Sequence, residues 1–271
     1  MRATLKDRAA SLMLIACMGT SRGYLMVALP QSSSTSTMHD LGAYAALPVK
    51  QNVRLARSQV CTAKISYRFL GIAGHSDTCL VRPRALNSWH RSSTYIFKQH
   101  TPPMKATIDQ LVKSNARVVI LTRNPFESLH AACERMVKEG RLDEATDQSL
   151  LSLRVHALIE WLREWRAAAV THSANFHEIS FELMEQCGRE RVLASALQFW
   201  KVPFTIPKDY KESKARYVHH DTPVCSRALN STGLTHLRDV FELETSWPRS
   251  DTKLDCGRVR RLTIGKFKTQ A

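Results

Sequence analysis

The chain has 271 residues, 44% of them hydrophobic, and this length and apolar content predict one sizeable core and a single large domain. Basic side chains exceed acidic ones by 15, so the chain attracts phosphate, sulfate, nucleic acid or acidic membrane, and charge alone does not choose among them. No run of about eighteen apolar residues is present, which excludes a membrane-spanning helix.

Cysteine usage and the N-terminus give the first expectations about location. The seven cysteines are scattered without a Cys-x-x-Cys pair, and the odd count argues against a disulfide framework and for a reducing compartment. Residues 1–23 are expected to be an N-terminal extension, with a weak targeting segment as the alternative, and residues 24–271 a single domain. The cytoplasm is therefore the expected location, with the Golgi lumen or another organelle as the alternative.

The first predicted unit is a strand, a polar loop and a helix. Residues 24–29 form a short continuous apolar run typical of a buried parallel strand, and Pro30 ends it. Hydroxyl side chains fill positions 32–37, and because Ser and Thr favour helix N-termini, a helix is predicted over 35–46. Residues 51–93 give no clear pattern and are predicted to be a loop with insertions.

The same order of elements recurs further along the chain. Strands are predicted over 94–97, 117–122 and 176–181, and helices over 126–138, 149–170 and 191–200. In the long helix, Leu150, Leu153 and Trp165 are expected on the buried face and Arg154 mostly elsewhere. Strands that alternate with helices predict an α/β fold, a three-layer sandwich around a central parallel sheet, whose ligand lies beyond the strand carboxyl ends. Beyond residue 208 the pattern fades.

Three segments at predicted strand ends carry candidate chemistry. The loop over 30–36 precedes a helix N-terminus, where backbone N–H groups can bind an anion. Lys98 and His100 lie two residues apart and face one side of an extended chain, and histidine is suited to accept a proton near neutral pH. Arg123 precedes Asn124 and Pro125 in a turn, where a guanidinium can bind a phosphate. Taken singly, each has an ordinary alternative: a capped linker, a solvated strand end or an exposed arginine.

Together, the three segments resemble motifs of the sulfotransferase family, in the same order. The loop over 30–36 resembles the family's 5′-phosphosulfate loop, residues 98–102 its Lys-Thr-His-Leu-Pro segment, and Arg123-Asn124-Pro125 its 3′-phosphate motif. Residues 179–184 and 196–203 resemble the family's Tyr-Glu-Asp-Leu strand end and Phe-Leu-Gly-Leu-Pro helix end. The resemblance covers residues 24–205, about two thirds of the chain.

The resemblance implies a P-loop NTPase-like fold and a co-substrate, 3′-phosphoadenosine 5′-phosphosulfate, without a metal. It implies His100 as the general base and Lys98 as the group that stabilises charge on the transferred sulfuryl. A small-molecule or carbohydrate acceptor is implied, and nucleic acid is not expected as a partner. The cofactor-binding residues that it implies are Gln31, Ser32, Ser33, Ser34, Thr35, Ser36, Arg123, Ser128 and Phe181.

The sequence departs from the family pattern at several positions. Gln31 replaces a lysine, Ser33 a glycine and Ser36 a tryptophan, and Ala131 stands where the family has a 3′-phosphate serine, a role for which Ser128 is the substitute. Because of these departures, a degenerate family member that binds nucleotide without turnover is an alternative. The net charge makes a basic nucleic-acid-binding protein a second alternative, which predicts an affinity for DNA or RNA that falls steeply with salt. A P-loop kinase would need the Walker lysine, which is absent. His219, His220 and Asp221 lack the spacing of a zinc site, so no metal site is predicted.

Overall fold

The computed structural model describes residues 24–29, 32, 34–51, 61–64, 79–81, 96–100, 103, 105–206, 222–245 and 256. The strands are β1 (Tyr24–Ala28), β2 (Val49–Gln51), β3 (Cys61–Lys64), β4 (Cys79–Val81), β5 (Ile96–Gln99), β6 (Arg117–Thr122) and β7 (Phe176–Ser180). The helices are α1 (Ser34–Ala45), α2 (Lys105–Lys113), α3 (Pro125–Lys138), α4 (Leu142–Thr146), α5 (Gln148–Thr171), α6 (Phe181–Cys187), α7 (Arg189–Trp200), α8 (Pro223–Leu229) and α9 (Thr232–Thr245). The predicted extension over 1–23 and the segment from His219 to Asp221 lie outside the described residues.

A parallel sheet with the strand order β2-β5-β1-β6-β7 forms the centre of the fold. In the register of this sheet, Met26 of β1 pairs with Lys98 of β5 on one side and with Val119 of β6 on the other. The chain leaves β1 towards one edge of the sheet and later crosses to the other side at β6. Such a reversal of direction opens a crevice beyond the carboxyl ends of the strands, where ligands bind in open α/β sheets.

Helices cover both faces of this sheet because its strands are apolar on both sides. Along β1, Leu25, Val27 and Leu29 face one core, and Met26 and Ala28 face the other. The first core is formed with side chains from α2, α3, α4, α5, α8 and α9, and the second with side chains from α1, α6 and α7. The predicted class, a three-layer α/β sandwich with a P-loop NTPase-like central sheet, is therefore confirmed.

The long helix α5 differs in detail from its predicted apolar face. Trp165 is fully buried as predicted, but Leu153 is 45% exposed. Arg154, which was expected to lie mostly off the buried face, is 1% exposed and donates to a carboxylate oxygen of Glu144. The prediction was wrong here because side-chain type alone does not show that a carboxylate from the neighbouring helix α4 is available to pair with a buried arginine.

Two regions without a clear pattern contain regular structure. The predicted loop over 51–93 contains β3 and β4, which pair antiparallel in a separate sheet. After residue 208, α8 begins at Pro223, and α9 contributes Leu234 and Phe241 to the first core. Proline at the first helical position is compatible with a helix start, since its missing N–H has no intrahelical acceptor there. These helices were not predicted because each contributes only a few apolar residues to the core.

Two disulfides correct the expectation that the chain has no disulfide framework. Cys133 of α3 is bonded to Cys225 of α8, and Cys187 at the end of α6 is bonded to Cys256. Because the partners are 92 and 69 residues apart in sequence, spacing could not reveal them. Disulfides persist in oxidising environments, so the cysteine argument for a reducing compartment no longer holds.

Candidate functional site

The turn between β1 and α1 forms the first part of the site. Ser32 is fully buried, and its hydroxyl has no hydrogen-bond partner among the described residues. Its backbone N–H donates to the carbonyl oxygen of Leu29 at 3.3 Å, which folds the chain back at the end of β1. Ser34, Thr35 and Ser36 follow as the first residues of α1, so their hydroxyls lie at the positive end of a twelve-residue helix. Pro30, Gln31 and Ser33 lie outside the described residues.

A buried lysine reaches this turn from the neighbouring strand. Lys98 of β5 is 4% exposed, and its Nζ donates to Ser34 Oγ at 3.3 Å and Thr35 Oγ1 at 3.5 Å. An ammonium group therefore lies at the N-terminus of α1, where the helix dipole is also positive. A bound anion would relieve the repulsion between these two positive groups. The prediction that this turn binds an anion is compatible with this arrangement.

His100 lies at the same edge of the sheet, just beyond β5. Its Nδ1 is 2.7 Å from the carbonyl oxygen of Ala28, the last residue of β1. A carbonyl oxygen only accepts hydrogen bonds, so Nδ1 carries the proton that is donated to it. In the neutral ring Nε2 then holds the lone pair, which is the protonation state that a general base needs.

Arg123 lies on the other side of β1, directly after β6. The ends of β1 and β6 are joined by a hydrogen bond from the N–H of Leu29 to the carbonyl of Leu121 at 2.9 Å, so Arg123 shares the edge with the turn. Its side chain is 2% exposed, and its guanidinium carbon is 4.6 Å from the ring centroid of Phe181. The Glu127 carboxylate is 3.9 Å from Nη2 and half exposed. The guanidinium is thus oriented by an aromatic face.

The turn after Arg123 is held by two capping interactions. Asn124 Oδ1 accepts from the N–H of Phe126 at 2.9 Å and caps α3, with Pro125 at the first helical position. The N–H of Asn124 itself donates to Glu182 Oε1 at 2.7 Å. Burial raises the pKa of Glu182, while this hydrogen bond and the charge of Arg123 act to lower it. The role of Glu182 was not predicted, because no spacing links positions 124 and 182.

Ser128 lies on the buried side of the first turns of α3. It is 1% exposed, and its Oγ has no hydrogen-bond partner among the described residues. Ala131, at the position where the resemblance would place a serine, is also buried and offers no polar group. The helix that begins after Arg123 therefore carries one buried hydroxyl, at position 128.

Membrane spans and metal clusters are both absent from the described residues. In this part of the chain, no helix is long and apolar enough to cross a membrane. The same residues contain no group of three His, Cys, Asp or Glu side chains that could hold a metal ion.

Similarity to known proteins is confined to structure. No family model matches the chain, and no curated protein sequence matches it. Among solved structures with a similar arrangement is the crystal structure of a sulfotransferase from Alicyclobacillus acidocaldarius, at 12% sequence identity and a TM-score of 0.46. The similarity covers 80% of this chain and 96% of the bacterial chain.

Proposed function

We propose that this chain transfers a sulfuryl group from 3′-phosphoadenosine 5′-phosphosulfate to a hydroxyl or amine of a small-molecule or carbohydrate acceptor. The observation that carries the proposal is the position of Lys98 and His100. Their side chains extend from the end of one strand to the β1–α1 turn, one contacting the helix hydroxyls and the other the last carbonyl of β1. An anion site and a basic nitrogen at one edge of a sheet are what transfer of an anionic group requires.

The β1–α1 turn is suited to the 5′-phosphosulfate. The first N–H groups of α1 and the dipole of the helix favour a negative charge there. The buried hydroxyl of Ser32, without a hydrogen-bond partner among the described residues, would gain one from a phosphosulfate oxygen. The residues that we propose for this part of the donor are Gln31, Ser32, Ser33, Ser34, Thr35 and Ser36.

The end of β6 is suited to the 3′-phosphate and the adenosine. A buried guanidinium is stabilised by an oxyanion that accepts two parallel hydrogen bonds, and Arg123 is the candidate for this contact. Ser128 supplies the hydroxyl that the resemblance would place at position 131, and the buried state of its Oγ fits a ligand contact. Phe181 offers an aromatic face beside Arg123 for the rest of the nucleoside.

The chemistry would then proceed by in-line displacement at sulfur. The acceptor oxygen or nitrogen forms a bond to sulfur as its proton passes to Nε2 of His100. The bond from sulfur to the phosphate oxygen breaks, and adenosine 3′,5′-bisphosphate leaves. Lys98 stabilises the negative charge that develops on the sulfuryl and leaving oxygens. Because Gln31 replaces the loop lysine of the family, Lys98 is the cation that we assign to this task.

A second candidate function is nucleotide binding without transfer, favoured by Gln31 and Ser33 in the loop. It predicts the same nucleotide complex but no product. Incubation with sulfur-labelled donor and a panel of phenols, sterols, sugars and amines separates the two, because only the transferase moves the label.

The proposed function is tested by thermal stabilisation. Adenosine 3′,5′-bisphosphate, ATP and adenosine 5′-monophosphate are each added at the same concentrations, and the melting temperature is followed. We expect the bisphosphate to raise it most, since ligand binding to the folded state stabilises by mass action. Equal shifts with all three nucleotides, or no shift with the bisphosphate, would refute donor recognition through the 3′-phosphate.

A further inference from the structure

A second buried cation, from a later part of the chain than Lys98, contacts the first turns of α1. Arg189, the first residue of α7, is 8% exposed. Its Nε donates to Asp40 Oδ2 at 2.5 Å, and its Nη2 is 3.3 Å from both Ser36 Oγ and Thr37 Oγ1. Asp40 and Thr37 are fully buried. One guanidinium therefore holds a carboxylate and two hydroxyls of the same helix.

The two cations divide the hydroxyls at the start of α1 between them. Lys98 donates to Ser34 and Thr35, and Arg189 donates to Ser36 and Thr37. Ammonium and guanidinium groups have only donors, so each of these hydroxyl oxygens accepts a hydrogen bond from its cation. Both cations are therefore tied to the start of α1 through side-chain oxygens.

The backbone around Arg189 is itself fixed. Cys187 is bonded to Cys256, and Gly188 has φ of 91°, a conformation that residues with a side chain rarely adopt. Arg189 follows immediately as the first residue of α7. A guanidinium placed on such a constrained junction can define the position of α1, 149 residues away in sequence.

We propose that Arg189 is a positioning residue of the donor site, which sets the place of the first turns of α1 through Asp40, Ser36 and Thr37. The inference rests on the proposed function. It extends that function to a side chain outside the three segments that resemble the sulfotransferase motifs.

The test separates positioning from stability. Arg189→Met removes the ion-pair partner of the buried Asp40, so it should lower both the melting temperature and donor affinity. The double variant Asp40→Leu with Arg189→Met removes both charges and should regain most of the melting temperature, because apolar replacement of a buried ion pair is often neutral. We expect the double variant still to bind adenosine 3′,5′-bisphosphate about tenfold more weakly than wild type by calorimetry, as expected when a positioning contact to a charged group is lost.

Arg191→Met is the matched control, since Arg191 is exposed on the same helix. It removes the same charge and should leave affinity within about twofold. If the double variant folds and binds as tightly as wild type, Arg189 has only a structural role and the inference is overturned. If the double variant remains unstable, the variant Arg189→Lys provides the test. Lysine keeps the positive charge and the ion pair with Asp40 but lacks the branched guanidinium that reaches Ser36 and Thr37 as well. Affinity equal to wild type in this variant would then overturn the inference.

Failure of this inference is distinguishable from failure of the proposed function. Wild-type protein that shows no preference for adenosine 3′,5′-bisphosphate over adenosine 5′-monophosphate refutes the function, and the role of Arg189 falls with it. Wild-type protein with that preference, beside a double variant of unchanged affinity, refutes the role of Arg189 alone.

Discussion

Removal of the Arg123 guanidinium should weaken the binding of adenosine 3′,5′-bisphosphate and leave the binding of adenosine 5′-monophosphate almost unchanged. The group is 1% exposed, so its hydrogen bonds to a phosphate would form away from water. Hydrogen bonds that involve a charged group contribute about 1.5 to 3 kcal/mol each. Loss of a bidentate contact should therefore cost about 3 kcal/mol, or roughly a hundredfold in dissociation constant.

The assay is calorimetric titration of wild type and Arg123→Ala with each nucleotide. The four dissociation constants form a double-mutant cycle in which the 3′-phosphate is the second change, so effects of the substitution on the rest of the site cancel. Arg135→Ala on the exposed side of α3 is the control and should affect neither ligand. Equal weakening of both nucleotides would refute the assignment of Arg123 to the 3′-phosphate.

Three further outcomes follow from the structure. His100→Ala should lower the transfer rate by about two to four orders of magnitude while donor affinity stays close to wild type; an unchanged rate would remove the general-base role. Glu182→Gln should remove a pH dependence of the free energy of unfolding. Burial raises the pKa of Glu182, so its carboxyl group favours the folded state at pH values below its ordinary pKa of 4.5, and this contribution is lost as the pH rises through the raised folded pKa. Urea unfolding between about pH 4 and 8 should show wild type losing stability relative to the variant as the pH rises, and parallel curves would contradict burial as the cause of the raised pKa. Cys133→Ala with Cys225→Ala should lower the free energy of unfolding by about 4 to 5 kcal/mol in the chain-entropy account, since the bond closes a loop with a separation of 92 residues. A loss below about 1 kcal/mol would show that removal of the cross-link adds little conformational entropy to the unfolded chain.

The disulfide experiment has a built-in comparison. Wild-type protein unfolded with and without a reductant should show a loss that includes both bonds, and the double alanine variant only that of Cys133–Cys225. The variant Cys187→Ala with Cys256→Ala gives the loss from the second described bond, expected at about 4 kcal/mol from its separation of 69 residues.

Much of the central sheet was predictable from local pattern. The strand over 117–122 has the bounds that the apolar run predicts, and β1 ends one residue before the predicted end. Buried parallel strands are continuous apolar runs because both of their faces are covered, and this makes them visible in a sequence. The helices over 126–138 and 191–200 were predicted within two residues at each end for the same kind of reason, an apolar face at helical spacing.

The candidate site was predictable only in part. Lys98, His100 and Arg123 could be selected because polar residues at the carboxyl ends of parallel strands meet at one edge. Glu182 and Arg189 could not, because their partners are 58 and 149 residues away and are reached only when the helices pack. The assignments of the three selected residues to donor and acceptor stay predictions.

The sequence by itself determined where the central strands β1, β6 and β7 lie and which strand ends carry polar groups, because both depend on continuous apolar runs and the polar residues that follow them. Tertiary structure decided the pairs that are distant along the chain: the two disulfides, the burial of Arg154 against Glu144, and the contact of Arg189 with α1. The physical reason is that a buried charge or thiol is stable only with a partner, and the chain must fold before that partner is near.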